Sequence, residues 1–180
     1  MIFISYRIAD SNSQVARLEE RLVSEFGREV VFRDLTRLPG SQNFPKALEE
    51  AVLGCRIFLA AIGPEWKKHQ FQEGHPREFK HRLSDPEDWV RREISLALDS
   101  NKEIVPVRIE AAEVPSAEWL REFELERLAI KQGQLLRTND IDADFKKLAD
   151  VLCGLCAELA KARDVQQAAK SVLALAPPNP

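Results

Sequence analysis

Glycine is scarce in this chain, seven in 180 residues, and none falls in a G-x-G-x-x-G or G-x-x-x-x-G-K-[ST] spacing. Without glycines to let backbone amides close around a phosphate, a conventional dinucleotide fold and a phosphate-transfer loop are excluded. No G-x-S-x-G elbow occurs either, which removes the strained turn that serine acyl transfer uses. Cysteine is down to three, an odd count that builds no secreted disulfide framework. Cys153 and Cys156 are spaced C-x-x-C within a helical run, and no second pair completes a zinc site, so both read as small core residues. His69, His75 and His81 stand six apart in a polar stretch, which is neither helix-face nor zinc-ligand spacing. No resident metal or cofactor is expected.

Long apolar runs are missing as well. Nothing approaches the roughly 20 residues that a membrane-spanning helix needs, and the chain opens on a strand-like run instead of a signal peptide. A formal charge of −3 gives no bulk attraction for nucleic acid. The expectation is a cytoplasmic protein with neither a membrane nor a nucleic acid as a direct partner. What is there, 44% apolar and 31% charged residues, is the composition of an ordinary globular domain long enough to bury a core.

Periodicity orders that core into alternating strands and helices. Residues 1–5 are a short apolar run at the start. The cluster Asp10-Ser-Asn-Ser13 reads as a cap for a helix burying Val15, Leu18, Leu22 and Phe26, with Gly27 as its stop. Residues 30–32 form a second strand. Residues 34–43, holding Pro39 and Gly40, form a long loop. A second helix begins near Phe44 and buries Leu48, Ala51 and Val52. Residues 56–62 are the clearest strand, broken by Gly63-Pro64. Residues 67–84 are polar and without period, an insertion.

Asp85-Pro86 suggests the next helix start, and that helix buries Val90, Ile94, Ala97 and Leu98. A fourth strand covers 104–109, a less regular helix 115–128, and a weak fifth strand 134–136. One long helix runs from Asp142 to about Arg163. The domain is taken as residues 1–163, and 164–180, ending Ala-Pro-Pro-Asn-Pro, as a linker or disordered tail leading toward a sensor or effector domain. Repeated strand–helix units imply an α/β fold of three layers: a five-stranded parallel sheet with helices on both faces. Ligands of such sheets bind beyond the strands' carboxyl ends, where strand order reverses. Tyr6, Arg7, Asp34 and the segment from Gly63 to Trp66 stand at such ends.

Trp89-Val-Arg-Arg-Glu93 carries the chemistry. Residues four apart share one helix face, so an indole and a carboxylate point to one place. A flat apolar wall beside one negative charge suits a cationic, or cation-forming, ligand. Cleaving a ribosyl–nicotinamide bond asks for little more. The pyridinium leaves as neutral nicotinamide, needing no general acid, and one carboxylate can steady the cation-like sugar. The plain alternatives are a tryptophan that packs the helix onto the sheet and a glutamate paired with surface arginines.

Three segments together resemble the TIR domain, the Toll/interleukin-1 receptor fold, in its bacterial form: Ile4-Ser-Tyr-Arg7, the loop opening at Asp34, and Trp89 to Glu93. Gly63-Pro-Glu-Trp66 is similar to the segment after that family's third strand. The resemblance implies a flavodoxin-like sheet and, from the W-x-x-x-E pattern, Glu93 as the catalytic residue with Trp89 as its aromatic partner. It adds Tyr6, Arg7, Asp34, Phe44 and Trp66 as substrate contacts. It further implies NAD as substrate, cleaved to ADP-ribose or a cyclic isomer, with activity switched on by self-association through the 34–43 loop, and a role in anti-phage defence. Two other readings stay open: a TIR–TIR signalling scaffold without activity, and a nucleoside deoxyribosyltransferase-like hydrolase.

Overall fold

Six apolar residues in succession, Ile57–Ile62, cannot alternate between core and water, and they occupy the one place that suits them, the centre of the sheet. In the computed structural model, which describes residues 1–33, 44–67 and 81–175, this strand, β3, is buried along its whole length. The other strands are β1 (Ile2–Ser5), β2 (Val31–Arg33), β4 (Glu103–Ile109) and β5 (Gln134–Leu136). They pair in the order β2-β1-β3-β4-β5, all parallel. Strand order reverses between β1 and β3, so the crevice at their carboxyl ends is the expected ligand position.

Helices α1 (Ile8–Phe26), α5 (Ile141–Leu155) and α6 (Ala157–Leu175) lie on one side of the sheet, and α2 (Phe44–Gly54), α3 (Trp89–Asp99) and α4 (Ala117–Arg121) on the other. The pleat of β1 divides its side chains between them. Ile2, Ile4 and Tyr6 join the α1/α5 core, whereas Phe3 turns to the α2/α3 core and stacks between Phe32 and Phe58 at 5.6 and 5.3 Å. Each such buried aliphatic or aromatic side chain contributes roughly 1.5–3 kcal/mol relative to exposure. Gly27 ends α1 at φ 97°, a conformation that favours glycine, and donates to the Val23 carbonyl.

The expected elements are present, with local corrections. Helix α1 begins at Ile8, ahead of the expected caps, and is kinked at Ser11 (φ −140°). Helix α3 begins at Trp89, not at Pro86. Asp85 spends its carboxylate on the Glu87 amide in a turn, and Asp88 caps the helix by accepting from the Arg91 amide. The region 115–128 is a short helix capped by Ser116, then a separate turn at Glu126–Leu128. The long final helix is two, broken where Cys156 adopts extended angles (φ −147°, ψ 107°). Its second half continues past Arg163 to Leu175, correcting the expected loss of order there; the alanines, glutamines and lysine of this stretch favour helix even though Val165 and Val172 stay exposed. Among the described residues no helix is long and apolar enough to cross a membrane.

Candidate active site

The residues after β1 build the site's frame. Ser5 and Arg7, two apart, follow Phe3 toward α3. The Ser5 hydroxyl donates to Oε2 of Glu93, a bond linking positions 88 apart in sequence, with both residues buried. Arg7 makes a fork of two bonds to Asp88, at 2.8 and 3.2 Å, and donates through Nε to the Trp66 carbonyl at 3.1 Å. Its guanidinium also lies 5.5 Å from the Trp66 ring centroid. Asp88 receives a second cation, Arg82, at 3.2 Å while capping α3. Arg7 and Asp88 are each only 3% exposed, so this charge pair persists because planar donors match both carboxylate oxygens. The carboxyl end of β1 is thereby fastened to the first turn of α3.

A cleft of about 560 Å³ opens between α2 and α3, a size typical of small-molecule sites. Leu48 and Val52 of α2 form one wall; Trp89, Glu93 and Leu96 of α3 form the other, with Arg91, Arg92 and Asp99 beside them. Glu93 is 2% exposed at the cleft, and Trp89 is partly buried. The Arg92 guanidinium stands 5.2 Å from the Trp89 ring centroid, so the indole already accommodates a cation. A buried carboxylate beside apolar and aromatic walls can steady positive charge more strongly than the same group in water.

Of the residues expected at the site, Trp89 and Glu93 line this cleft together. Tyr6, Arg7 and Trp66 do not line it. Tyr6 is one residue from Ser5, so the pleat sends it into the α1/α5 layer, where its hydroxyl donates to Asn12 at 3.2 Å. Arg7 is engaged by Asp88, and Trp66, 1% exposed, packs in the α2/α3 core. Asp34, the loop 34–43 and the side chain of Phe44 lie outside the described residues, as do positions 68–80 of the polar insertion. Cys153 and Cys156 are free thiols; burial pushes Cys153 up from its ordinary pKa, which suits a packed residue rather than a reactive one.

Three participants escaped the sequence reading. For Ser5 the period of two gives the face, shared with Phe3 at the end of β1, but not the helix that packs there. Asp88 carried a capping signal that Asp85-Pro86 obscured. Asp10 sits in the first turn of α1, accepts from the Glu65 amide at 2.9 Å, and is pushed up from its ordinary pKa chiefly by burial. Gly63 is required opposite it, since a Cβ there would fall 2.3 Å from the Asp10 carboxylate. This contact ties the segment after β3 to α1.

A sequence model of the TIR domain matches residues 2–149. Among solved structures, a CMP N-glycosidase of Clostridium botulinum, BcmB, is 16% identical, with a TM-score of 0.45 over 82% of this chain and 95% of its own. The TIR domains of the activated Roq1 resistosome, which directly recognises the pathogen effector XopQ, are 15% identical, with a TM-score of 0.45 over 91% of this chain and 83% of theirs.

Proposed function

Because the chain belongs to the TIR domain family over residues 2–149, we propose that it is an NAD nucleosidase that breaks the nicotinamide–ribose bond with Glu93. One observation carries the reading: Glu93 is buried at a cleft that it shares with Trp89, one helical turn away. The indole offers a flat face for the pyridinium ring, and the carboxylate faces the charge that develops on the ribose as nicotinamide departs. The departing group leaves neutral, so the site needs no acid to protonate it. Attack by water gives ADP-ribose; attack by a group of the same molecule gives a cyclic isomer.

Activation follows self-association, in which the 34–43 loop of one copy completes the cleft of another, and the protein serves in defence against phage within the cytoplasm. A sensor domain, fused or separate, would promote that assembly. The test incubates concentrated protein with NAD and separates the products, with Glu93→Ala as control. Nicotinamide release by the native chain alone supports the reading. Release no greater than that of Glu93→Ala overturns it and leaves a TIR–TIR scaffold. Faster cleavage of nucleosides than of NAD reassigns the substrate.

A further inference from the structure

Resting on Glu93 as the acting carboxylate, we propose that Ser5 is a positioning residue whose hydroxyl sets the orientation of the Glu93 carboxylate beside the cleft. Ser5 is 1% exposed in a strand whose neighbours Phe3 and Ile4 are wholly apolar and wholly buried. An alanine or valine would fill such a position without any polar atom to satisfy, whereas a buried hydroxyl is costly unless it is hydrogen-bonded. Its bond runs to Oε2 of Glu93, a residue of the cleft lining.

The bond is not what docks the helix. Val90, Ile94, Ala97 and Leu98 bury one face of α3, and the forked pair of Arg7 with Asp88 fastens its first turn. What these contacts leave undetermined is the glutamate side chain itself, which turns about three bonds between backbone and carboxylate. Ser5, fixed in the sheet, restricts that freedom from outside the helix. A carboxylate oriented before substrate arrives meets the developing charge without reorganisation, and small errors in such placement cost about a hundredfold in rate. Ser5 thus acts on the barrier and not on the affinity.

The experiment compares the native chain, Ser5→Ala, Ser5→Thr and Glu93→Gln by thermal melting, by kcat and KM for NAD, and by a crystal structure of Ser5→Ala. The expected result is a folded Ser5→Ala chain with kcat reduced about 10- to 100-fold and KM within about twofold. Ser5→Thr, which keeps the hydroxyl, recovers most of kcat, and the Glu93 carboxylate is displaced in the Ser5→Ala crystal. Unchanged kcat in Ser5→Ala overturns the proposal, as does a loss in Ser5→Thr equal to that in Ser5→Ala. If the alanine chain does not fold, Ser5→Cys, close in size and a poor donor, takes its place with the same expectations. If the native chain releases no nicotinamide, the nucleosidase reading fails on its own; the crystal structure still decides this one, because an unmoved Glu93 carboxylate overturns it.

Discussion

The two faces of the sheet bury acidic groups in different ways. On the α1/α5 side, three carboxylates at the margin of the core are matched with arginine: Asp144 with Arg137, Glu19 with Arg28, and Glu25 with Arg163. Those pairs tie helices and turns to one another around an apolar interior. On the α2/α3 side, Asp88 is matched with Arg7 in the same manner, but five residues later Glu93 meets a serine hydroxyl and borders an open cleft. One helix therefore carries both kinds of acid. Arginine holds the one that builds the fold, and the one beside the cleft accepts a hydrogen bond from a buried serine.

The contrast breaks most sharply at Glu93. Replacing it with Gln keeps the size and a hydrogen-bonding oxygen toward Ser5, so the chain should melt near the native temperature. NAD turnover should fall about a thousandfold, or ~4 kcal/mol on the barrier. Leu148→Ala should do the reverse. Leu148 is fully buried between α5 and the sheet, so its truncation should cost about 3 kcal/mol of stability in denaturant titration while kcat of the folded fraction stays native.

Asp144 sharpens the same point through pH. Hydrogen bonding from Arg137 holds its carboxyl below the ordinary aspartate value, so the folded state favours the ionised form. The stabilisation is fully present above the ordinary aspartate range and is lost as pH falls through the lowered value. Asp144→Asn should therefore cost about 2 kcal/mol at neutral pH, from the lost charged hydrogen bonds. The gap between the two chains should close as both are titrated into strong acid. Trp89→Ala has the smallest expected effect, a KM for NAD raised about tenfold (~1.4 kcal/mol) with the fold retained. Unfolding of that variant would place the indole in the core instead.

Apolar pattern made the sheet and its covering helices legible, because burial on both faces leaves no alternation in Ile57–Ile62, and burial on one face leaves spacings of three and four in α1 and α3. The same pattern did not extend α6 beyond Arg163, where Val165 and Val172 are exposed and bury no face against the sheet. At the site, Trp89 and Glu93 could be paired from sequence because both lie on one helix, where spacing alone fixes the face. Ser5 and Asp88 could not, since their partners depend on which strand end meets which helix turn. Tyr6 was set with the site by its position along the strand, although the pleat directs its side chain to the other layer. Position along a strand finds the correct end of the sheet; parity decides the face.

The most direct measurement is a crystal structure of Glu93→Gln grown with NAD. The nicotinamide should lie against Trp89 in the α2–α3 cleft, with the ribose carbon that bears it within van der Waals reach of the amide that replaces the Glu93 carboxylate. NAD bound elsewhere on the molecule, with that cleft empty, would contradict the assignment of Glu93.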